Sequence, residues 1–338
     1  MLLCPLAARA GTWPENPIHI VVGQKAGGGT DGTARLLSPQ LEEYLRAPRI
    51  NVSNMPGASG SRAAKYVRAQ APEGYHWIIA GGYHRGLRAM GFDDAVPYSD
   101  WQYYGADSSI MSFSVLPDSP IRDMEDLIRQ GIDRPGRLSV SVDGIGGTWH
   151  LGALLVMRAT GAQFRFIPYG GGKPATVAGL QGEVDVVCSG VHEQIGSIKA
   201  GQLRPLGTGA AGTLTLRSVE LPSAIDVVPE LSNKAPIGGG AAIGVNRDTD
   251  PGILTRIADA WSHSVNSDGF IQANNERGRF AGFATGEAAD KRAALLETLA
   301  TTLLNEMGIA KHSPADLGLP ALDDFEHWWP PRGYQPRI

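Results

Sequence analysis

Short runs of β-branched and other apolar residues alternate with segments in which apolar residues recur at helical spacing. The run at 18–22 predicts a strand, the pattern from Ala34 to Leu45 predicts a helix, and glycines 27–29 lie between them. The same order follows as a strand, a glycine loop, a helix and a strand at 49–52, 56–60, 62–69 and 77–80. A βαβαβ order of this kind predicts a parallel sheet with right-handed crossover connections.

A second copy of this rhythm begins near Arg137. We predict a strand, a glycine loop, a helix, a strand, a glycine turn, a helix and a strand at 137–142, 143–148, 149–160, 164–167, 169–172, 174–180 and 184–188. A strand precedes this copy, and a strand and two long helices follow it, at 112–116, 241–245, 251–265 and 287–307.

The predicted fold class is α/β with two domains, each a mainly parallel sheet flanked by helices. The length of 338 residues agrees with about two domains. We place the two chain crossings between the domains near 115 and near 239. Domain 1 is then discontinuous, at 13–115 and 240–311, and domain 2 spans 116–239. A C-terminal extension follows at 312–338, and its lack of periodicity predicts an extended segment laid over the surface, with a docking peptide as the alternative.

The composition excludes several classes of protein. A hydrophobic content of 42% with a net charge of only −4 argues against disorder and against general attraction to nucleic acid. The 44 glycines and 23 prolines predict many tight turns and exclude a coiled coil. No run of eighteen apolar residues occurs, so no membrane-spanning helix is predicted.

The N-terminal residues resemble the end of an export signal. The first ten residues are largely apolar and end in the small-residue pattern Ala8-Arg9-Ala10, which is typical of a cleavage site. A basic start and a longer apolar segment are absent, so we interpret 1–12 as the remnant of a signal peptide, with an ordinary N-terminus as the alternative. Once Cys4 is removed, Cys188 has no intrachain partner, and its apolar neighbours favour a core residue over a nucleophile.

Glycine loops at 27–31, 57–60 and 144–148 lie between a predicted strand and a predicted helix. The N-terminus of a helix presents unpaired N–H groups and a positive dipole end, and glycine lets a ligand approach that backbone closely. Such loops bind anions without a charged side chain, and they lie where ligands bind in open α/β sheets. We therefore predict a small molecule with carboxylate groups held between two such sheet edges.

Enzyme motifs match this sequence poorly. Gly27 to Gly32 fits the dinucleotide pattern G-x-G-x-x-G, but the next strand ends at Asn54 without the acidic residue that holds a ribose. His192-Glu193 lacks the second histidine of a zinc protease helix, and His150 has no evident nucleophile and is interpreted as a structural or pocket-lining residue. We therefore expect no catalytic residues, no cofactor and no metal. An NAD(P)-dependent oxidoreductase that uses the Gly27–Gly32 loop remains the alternative.

Several dispersed motifs occur in a fixed order. They are Trp13-Pro14 with Pro17-Ile18, Gly27–Asp31 with Ala34-Arg35, Asn54–Gly60, Ala71–Tyr75, Gly144–Leu151, Pro168–Gly171 with Pro174-Ala175, Gly182–Asp185 and Ile198–Arg204. In this order they resemble the periplasmic solute-binding receptors of tripartite tricarboxylate transporters, often called Bug-type receptors. The resemblance runs from about Trp13 to Met307.

The resemblance implies a two-domain periplasmic binding protein of the type II, Venus-flytrap kind, which works in the periplasm without catalysis. It implies that backbone N–H groups and ordered water hold a di- or tricarboxylate or an aromatic acid in a cleft between the domains. The implied partners are integral-membrane transporter subunits or a sensor kinase, and no nucleic acid; we expect a monomer. An orphan exported ligand sensor is a further alternative. The implied ligand-binding residues are Gln24, Lys25, Gly28, Gly29, Thr30, Ala58, Ser59, Gly60, Gly82, Thr148, Trp149 and Ser189.

Three positions depart from the family pattern. Gln24-Lys25-Ala26 replaces an aromatic residue and prolines, and Lys25 either contacts an anionic ligand or is solvated. Ser189 stands where an acidic residue is common, which removes a negative group from the pocket. Trp149 stands where a small polar residue is common, and it either stacks on a ligand ring or packs within the domain.

Overall fold

The computed structural model describes residues 12–82 and 84–337. The predicted signal remnant, with Cys4, lies outside these residues except for Thr12. The strands are β1 (Ile18–Val22), β2 (Ile50–Asn54), β3 (His76–Gly81), β4 (Trp101–Val115), β5 (Ser139–Val142), β6 (Arg165–Pro168), β7 (Val186–Gly190), β8 (Arg204–Thr208), β9 (Leu214–Leu216), β10 (Val219–Leu221), β11 (Gly238–Asn246) and β12 (Phe280–Ala281). The helices are α1 (Gly29–Leu45), α2 (Ser61–Arg68), α3 (Pro97–Asp100), α4 (Met124–Asp133), α5 (Thr148–Thr160), α6 (Gly172–Leu180), α7 (Val191–Lys199), α8 (Pro251–Val265), α9 (Asp268–Arg277), α10 (Gly286–Glu306) and α11 (Phe325–Trp328).

The main sheet has the strand order β2-β1-β3-β11-β4-β7-β5-β6, and β8 and β12 also pair with β4. Parallel pairs form the two outer parts of the sheet, β1 with β2 and β3, and β5 with β6 and β7. Antiparallel pairs join them in the middle through β4 and β11. The predicted α/β fold of two strand–helix units is confirmed, and the long middle strands add an antiparallel region to the parallel units.

Strand β4 connects the two parts of the sheet. Its residues from Trp101 to Ile110 pair with β11, whereas Met111 to Val115 pair with β7 and β8. We call the part formed by β1, β2, β3, β11, β12 and the start of β4 the first lobe, and the part formed by β5 to β8 and the end of β4 the second lobe. The chain returns to the first lobe where β11 begins. The domain boundaries near 115 and 239 stay a prediction.

Each lobe has apolar side chains on both faces of its sheet. In the first lobe, Trp77 and Trp261 meet edge to face at 6.4 Å in a cluster between the sheet and α1 and α8. In the second lobe, Phe113 and Leu154 belong to the largest cluster. Leu304 of α10 packs in this same cluster, although α10 also contacts α3 and β4, so α10 connects the lobes on one side of the sheet.

The C-terminal segment lies against α10. The Tyr334 hydroxyl donates a 2.8 Å hydrogen bond to Asp290, whose carboxylate also pairs with the buried Arg247. Trp328 and Trp329 pack edge to face against Tyr98 at 6.2 and 5.8 Å. The aromatic residues therefore anchor the segment to the surface, as the sequence predicts.

Candidate functional site

A cavity of about 590 Å³ lies between the lobes, at the carboxyl ends of the parallel strands. Its wall consists mainly of glycine loops from both lobes, since a backbone without side chains leaves room between the strand ends. The lining residues are Gly23–Thr30, Pro56, Gly57, Ser59, Gly60, Ala80, Gly81, His84, Arg85, Asp143–Trp149, Gly170–Pro174, His192, Glu193, Gly239, Gly240 and Arg279.

On the first lobe, α1 begins at the cavity. Its N-cap residue Gly28 is extended (φ −78°, ψ 172°), and no side chain caps the helix. The first N–H groups of a helix have no partner within it, so those of α1 are available to an anion in the cavity. The Gln24 side-chain oxygen is buried without a hydrogen-bond partner among the described residues. This end of the cavity therefore offers unsatisfied polar groups to a ligand.

The loop before α1 is held by Asp31. Its carboxylate accepts hydrogen bonds from the Gly27 N–H at 2.9 Å, from Arg35 at 3.1 Å and from Asn54 Nδ2 at 2.9 Å. Asn54 stands at the end of β2, where a dinucleotide site has an acidic residue for a ribose. Here this side chain is used to fix the glycine loop.

On the second lobe, the N-terminus of α5 already holds a carboxylate. Asp143 accepts hydrogen bonds from the N–H groups of Thr148, Trp149 and His150 at 2.9, 3.0 and 3.4 Å. Burial raises the pKa of Asp143 to about 6, although these N–H groups and the charge of Arg85 act in the opposite direction. The predicted backbone contacts of Thr148 and Trp149 to a ligand would therefore compete with Asp143.

A second carboxylate lies between α6 and α7. Glu193 accepts a 2.8 Å hydrogen bond from the Gly190 N–H, and a Cβ atom on Gly172 would overlap the carboxylate. Its side chain is 10% exposed, and burial raises its pKa to about 7. The Trp149 indole is a further hydrogen-bond partner of Glu193. Glycine at 172 is thus required for Glu193 to reach the cavity wall.

Arg279 links the two lobes across the cavity. Its guanidinium pairs with both oxygens of the buried Asp107 on β4 and lies 3.1 Å from the His192 Nε2 atom on α7. The other ring nitrogen of His192 is 2.6 Å from the Ser109 hydroxyl on β4. Burial, assisted by the charge of Arg279, holds the pKa of His192 well below its ordinary value, so the ring is neutral.

Arg85 makes a further contact between the lobes. Its Nη2 atom donates a 3.3 Å hydrogen bond to the Thr148 hydroxyl. A Cβ atom on Gly82, which has φ +72°, would overlap the Arg85 guanidinium. The neighbouring His84 has φ +59°, and its Nδ1 atom is 2.7 Å from the Tyr103 hydroxyl. The left-handed backbone conformation of Gly82 and His84 therefore places the Arg85 side chain against Gly82, where it lines the cavity.

Nine of the twelve residues predicted to bind ligand line the cavity, namely Gln24, Lys25, Gly28, Gly29, Thr30, Ser59, Gly60, Thr148 and Trp149. The Lys25 ammonium lies 3.4 Å from the Cβ position of Gly170, so this side chain extends to the opposite lobe. Trp149 is 6% exposed and packs beside His192, with 6.1 Å between ring centroids. Contact of any of these residues with a ligand stays a prediction.

Three predicted residues do not line the cavity. Ser189 points into the second lobe, where its hydroxyl is 2.8 Å from that of Thr176 and 3.0 Å from Gln194 Nε2. Ala58 is not among the lining residues, and Gly82 contributes by leaving room for Arg85. Contact of these three residues with a ligand also stays a prediction.

Apart from Lys25, sequence reasoning missed the charged side chains of the cavity. Arg85, Asp143, Glu193 and Arg279 all line it, together with His84 and His192. Asp143 carried a usable signal, because an acidic residue before a glycine loop and a helix is a candidate N-terminal cap. Arg279 carried none, since its partner Asp107 lies 172 positions away.

Two further predictions from the sequence concern Cys188 and His150, which are both buried. Cys188 is fully buried and its thiol pKa is raised by burial, as expected of a core residue. His150 is buried, and its Nδ1 atom accepts a hydrogen bond from the Gly146 N–H at 3.1 Å. Burial lowers the His150 pKa to about 4, and the side chain does not line the cavity, so it is a structural residue.

Within residues 12–82 and 84–337, no helix has the length and apolar character needed to cross a membrane. Over the same residues, no cluster of three or more histidine, cysteine or acidic side chains has a geometry suited to a metal ion.

Comparisons with known proteins agree with the fold. A family model described as "Tripartite tricarboxylate transporter family receptor" matches residues 33–282. The "UPF0065 protein in gbd 5'region" of Cupriavidus necator is 30% identical over 277 residues, which are 80% of each chain. The solved "periplasmic binding protein BugD" has a TM-score of 0.74 at 20% identity and covers 88% of this chain and 99% of its own. "R. palustris Rpa4515 with adipate" has a TM-score of 0.72 at 24% identity and covers 92% and 100%.

Proposed function

The chain belongs to the tripartite tricarboxylate transporter receptor family, and we propose that it captures a small organic carboxylate between its two lobes. The observation that carries the proposal is the cavity of about 590 Å³, whose wall combines glycine loops of both lobes with the uncapped start of α1. Because receptors of this family are binding proteins, the proposal gives no residue a catalytic role.

The charge of the first-lobe wall supports an anionic ligand. Lys25, Arg85 and Arg279 line the cavity from this lobe, and the dipole of α1 adds partial positive charge. Hydrogen bonds to carboxylates are strongest when the donor is charged or belongs to a helix N-terminus. The related protein solved with adipate supports the carboxylate class.

We further propose that the protein works in the periplasm and delivers its ligand to the membrane subunits of a tripartite tricarboxylate-type transporter. The family match and the periplasmic relative of similar fold support this placement. The lobes would close by a hinge at β4 and at the start of β11, where the chain passes between them. A membrane subunit would then recognise the closed form, which ligand stabilises.

The direct test is a thermal-shift screen of purified protein against mono-, di- and tricarboxylates, followed by calorimetry on those that raise the midpoint. A ligand present at 100 times its Kd adds about 2.7 kcal/mol of stability, which is a readily measured shift. Lys25→Met should weaken binding of the best ligand, whereas Lys65→Met, an exposed lysine of α2 outside the cavity, should not. A screen without any shift would contradict the proposal.

The transport role has its own test. Uptake of the ligand into proteoliposomes that contain the membrane subunits should depend on the added receptor. If the protein binds ligand tightly but does not stimulate uptake, an orphan exported sensor becomes the better account. Binding of a dinucleotide, followed by tryptophan fluorescence, would instead favour the oxidoreductase alternative.

A further inference from the structure

The charged residues of the cavity are divided between its two walls. The first lobe contributes Lys25, Arg85 and Arg279, whereas the second lobe contributes the carboxylates of Asp143 and Glu193. The second lobe also contributes Lys173, which is solvent-exposed and, like Glu193, lines a second cavity of about 370 Å³ as well. Within the described chain, both carboxylates that line the cavity therefore come from the second lobe, whereas three of the four cationic side chains that line it come from the first.

Two positions on the second lobe where a ligand carboxylate could bind are already occupied, whereas α6, whose first residues also line the cavity, begins without a side-chain cap. Asp143 accepts the first N–H groups of α5, and Glu193 accepts the Gly190 N–H at the start of α7. Among the described residues of the first lobe, no carboxylate lines the cavity and no side chain caps α1. The chain thus supplies its own carboxylates to one wall and leaves the other wall open to a carboxylate from the ligand.

We infer that the ligand is a monocarboxylate whose other end carries hydrogen-bond donors, with a cationic end binding best. This inference rests on the proposed function and specifies its substrate class. The carboxylate lies against the start of α1 and the first-lobe cations. The donor end lies against Asp143 and Glu193, whose remaining lone pairs accept from a ligand hydroxyl or ammonium group.

A dicarboxylate is disfavoured by the same wall. Its second carboxylate would lie beside Asp143 and Glu193, and like charges repel strongly in a cavity from which water is excluded. An amino group in the same place replaces this repulsion by charge-assisted hydrogen bonds. For two ligands of equal length, the cavity therefore favours the one that ends in an amino group over the one that ends in a second carboxylate.

The change in protonation of Asp143 and Glu193 on ligand binding gives a second test of the inference. Asp143 is faced by Arg85 and Glu193, and Glu193 is faced by Asp143, Arg279, His192 and Trp149. Burial raises the pKa of Asp143 to about 6 and that of Glu193 to about 7. A second ligand carboxylate raises these values further, so its binding takes up a proton from solution. A cationic end lowers them, so its binding releases protons instead, and its heat depends on the buffer with the opposite sign.

The test is calorimetry of the whole chain at pH 7.5 with three ligands of one length, adipate, 6-hydroxyhexanoate and 6-aminohexanoate. Terephthalate and 4-(aminomethyl)benzoate form a rigid second set. We expect each amino compound to bind at least tenfold more tightly than the dicarboxylate of its set. We also expect the dicarboxylate's heat to differ between phosphate and Tris buffers because a proton is taken up.

Substitutions test whether Asp143 and Glu193 cause the preference for the amino compounds. Glu193→Gln and Asp143→Asn keep an acceptor for the backbone N–H groups and should lower the amino-to-dicarboxylate ratio at least fivefold. Glu183→Gln, on the same lobe but outside the cavity, should leave the ratio unchanged. The buffer comparison on the unaltered protein stands even if a variant fails to fold.

Two outcomes overturn the inference in different ways. If the unaltered protein binds the dicarboxylates as tightly as the amino compounds, without proton uptake, the inference is wrong and the proposed carboxylate receptor stands. If no carboxylate of either set binds, the proposed function fails together with the inference.

Discussion

The buried ion pair between Arg279 and Asp107 gives the sharpest prediction about stability. Asp107 is fully buried and the Arg279 side chain is 9% exposed, so neither charge is hydrated. Replacing Arg279 by methionine keeps an unbranched apolar stem but leaves the carboxylate without its cation. Removal of one partner of a buried pair costs about 3–5 kcal/mol, because the remaining charge is not compensated.

The other hydrogen bonds of Asp107 decide where the destabilisation lies within this range of about 3–5 kcal/mol. Its carboxylate keeps hydrogen bonds from the Thr33 hydroxyl at 2.6 Å and from the Ala241 N–H at 3.2 Å. We therefore expect Arg279→Met to cost about 3 kcal/mol, near the lower end of the range for a broken buried pair. An unfolding entropy of about 2.1 cal/mol/K per residue gives about 0.7 kcal/mol/K for this chain, so the unfolding midpoint falls by about 4 °C.

Scanning calorimetry of the ligand-free protein measures this shift. The matched control is Arg277→Met, since Arg277 is an exposed arginine two residues away that forms no ion pair within the described chain. Its cost should stay within about 0.5 kcal/mol. The double variant Asp107→Asn/Arg279→Met removes both charges and should recover at least half of the loss. Equal midpoints for Arg279→Met and the control, or additive losses in the double variant, would refute the reasoning.

The remaining predictions concern three other features. Burial raises the pKa of Asp143 to about 6 and those of Glu193 and Glu297 to about 7, so the native state holds these protons more tightly than the unfolded chain does. From about pH 4.5 to 7, the midpoint of the ligand-free protein should therefore fall relative to that of Glu297→Gln, whereas the lowered pKa values of the buried His84, His150 and His192 act in the opposite direction in both proteins; a difference between the two midpoints that stays constant over this interval would contradict the assignment. Gly82→Ala, at φ +72° and against Arg85, should displace that guanidinium and weaken ligand binding in calorimetry, and unchanged affinity would count against a role for Arg85. Tyr334→Phe removes the hydrogen bond to Asp290 and should cost about 1 kcal/mol in denaturant unfolding; an unchanged midpoint would show that the C-terminal anchor adds no stability.

The regular elements near the cavity were predictable because their patterns are local. Helix α8 spans Pro251–Val265 as predicted, since Asp250 caps it through the Gly252 and Ile253 N–H groups and Pro251 suits its first position. Strand β4 begins at Trp101 rather than 112, which the sequence did not predict. Its first part contains Asp107 and Ser109, polar residues whose buried partners Arg279 and His192 come from distant parts of the chain.

The same distinction holds for the candidate site. The glycine loops could be found from the sequence because each one follows a strand and opens a helix or a turn beside the cavity. The charges could not, because Arg85, Asp143, Glu193 and Arg279 come from separate segments and meet only when the lobes do. Ser189 does not line the cavity, because the family pattern gives the position on β7 but not the direction of its side chain, which bonds to Thr176 and Gln194.

The most direct measurement is a crystal structure of the protein with the ligand that it retains on purification, identified beforehand by mass spectrometry. The account predicts a ligand carboxylate within hydrogen-bond distance of the N–H groups at Gly29 and Thr30. It also predicts a donor group of the same ligand facing Asp143 and Glu193. A carboxylate placed against Glu193, or a ligand bound outside the cavity between the lobes, would contradict it.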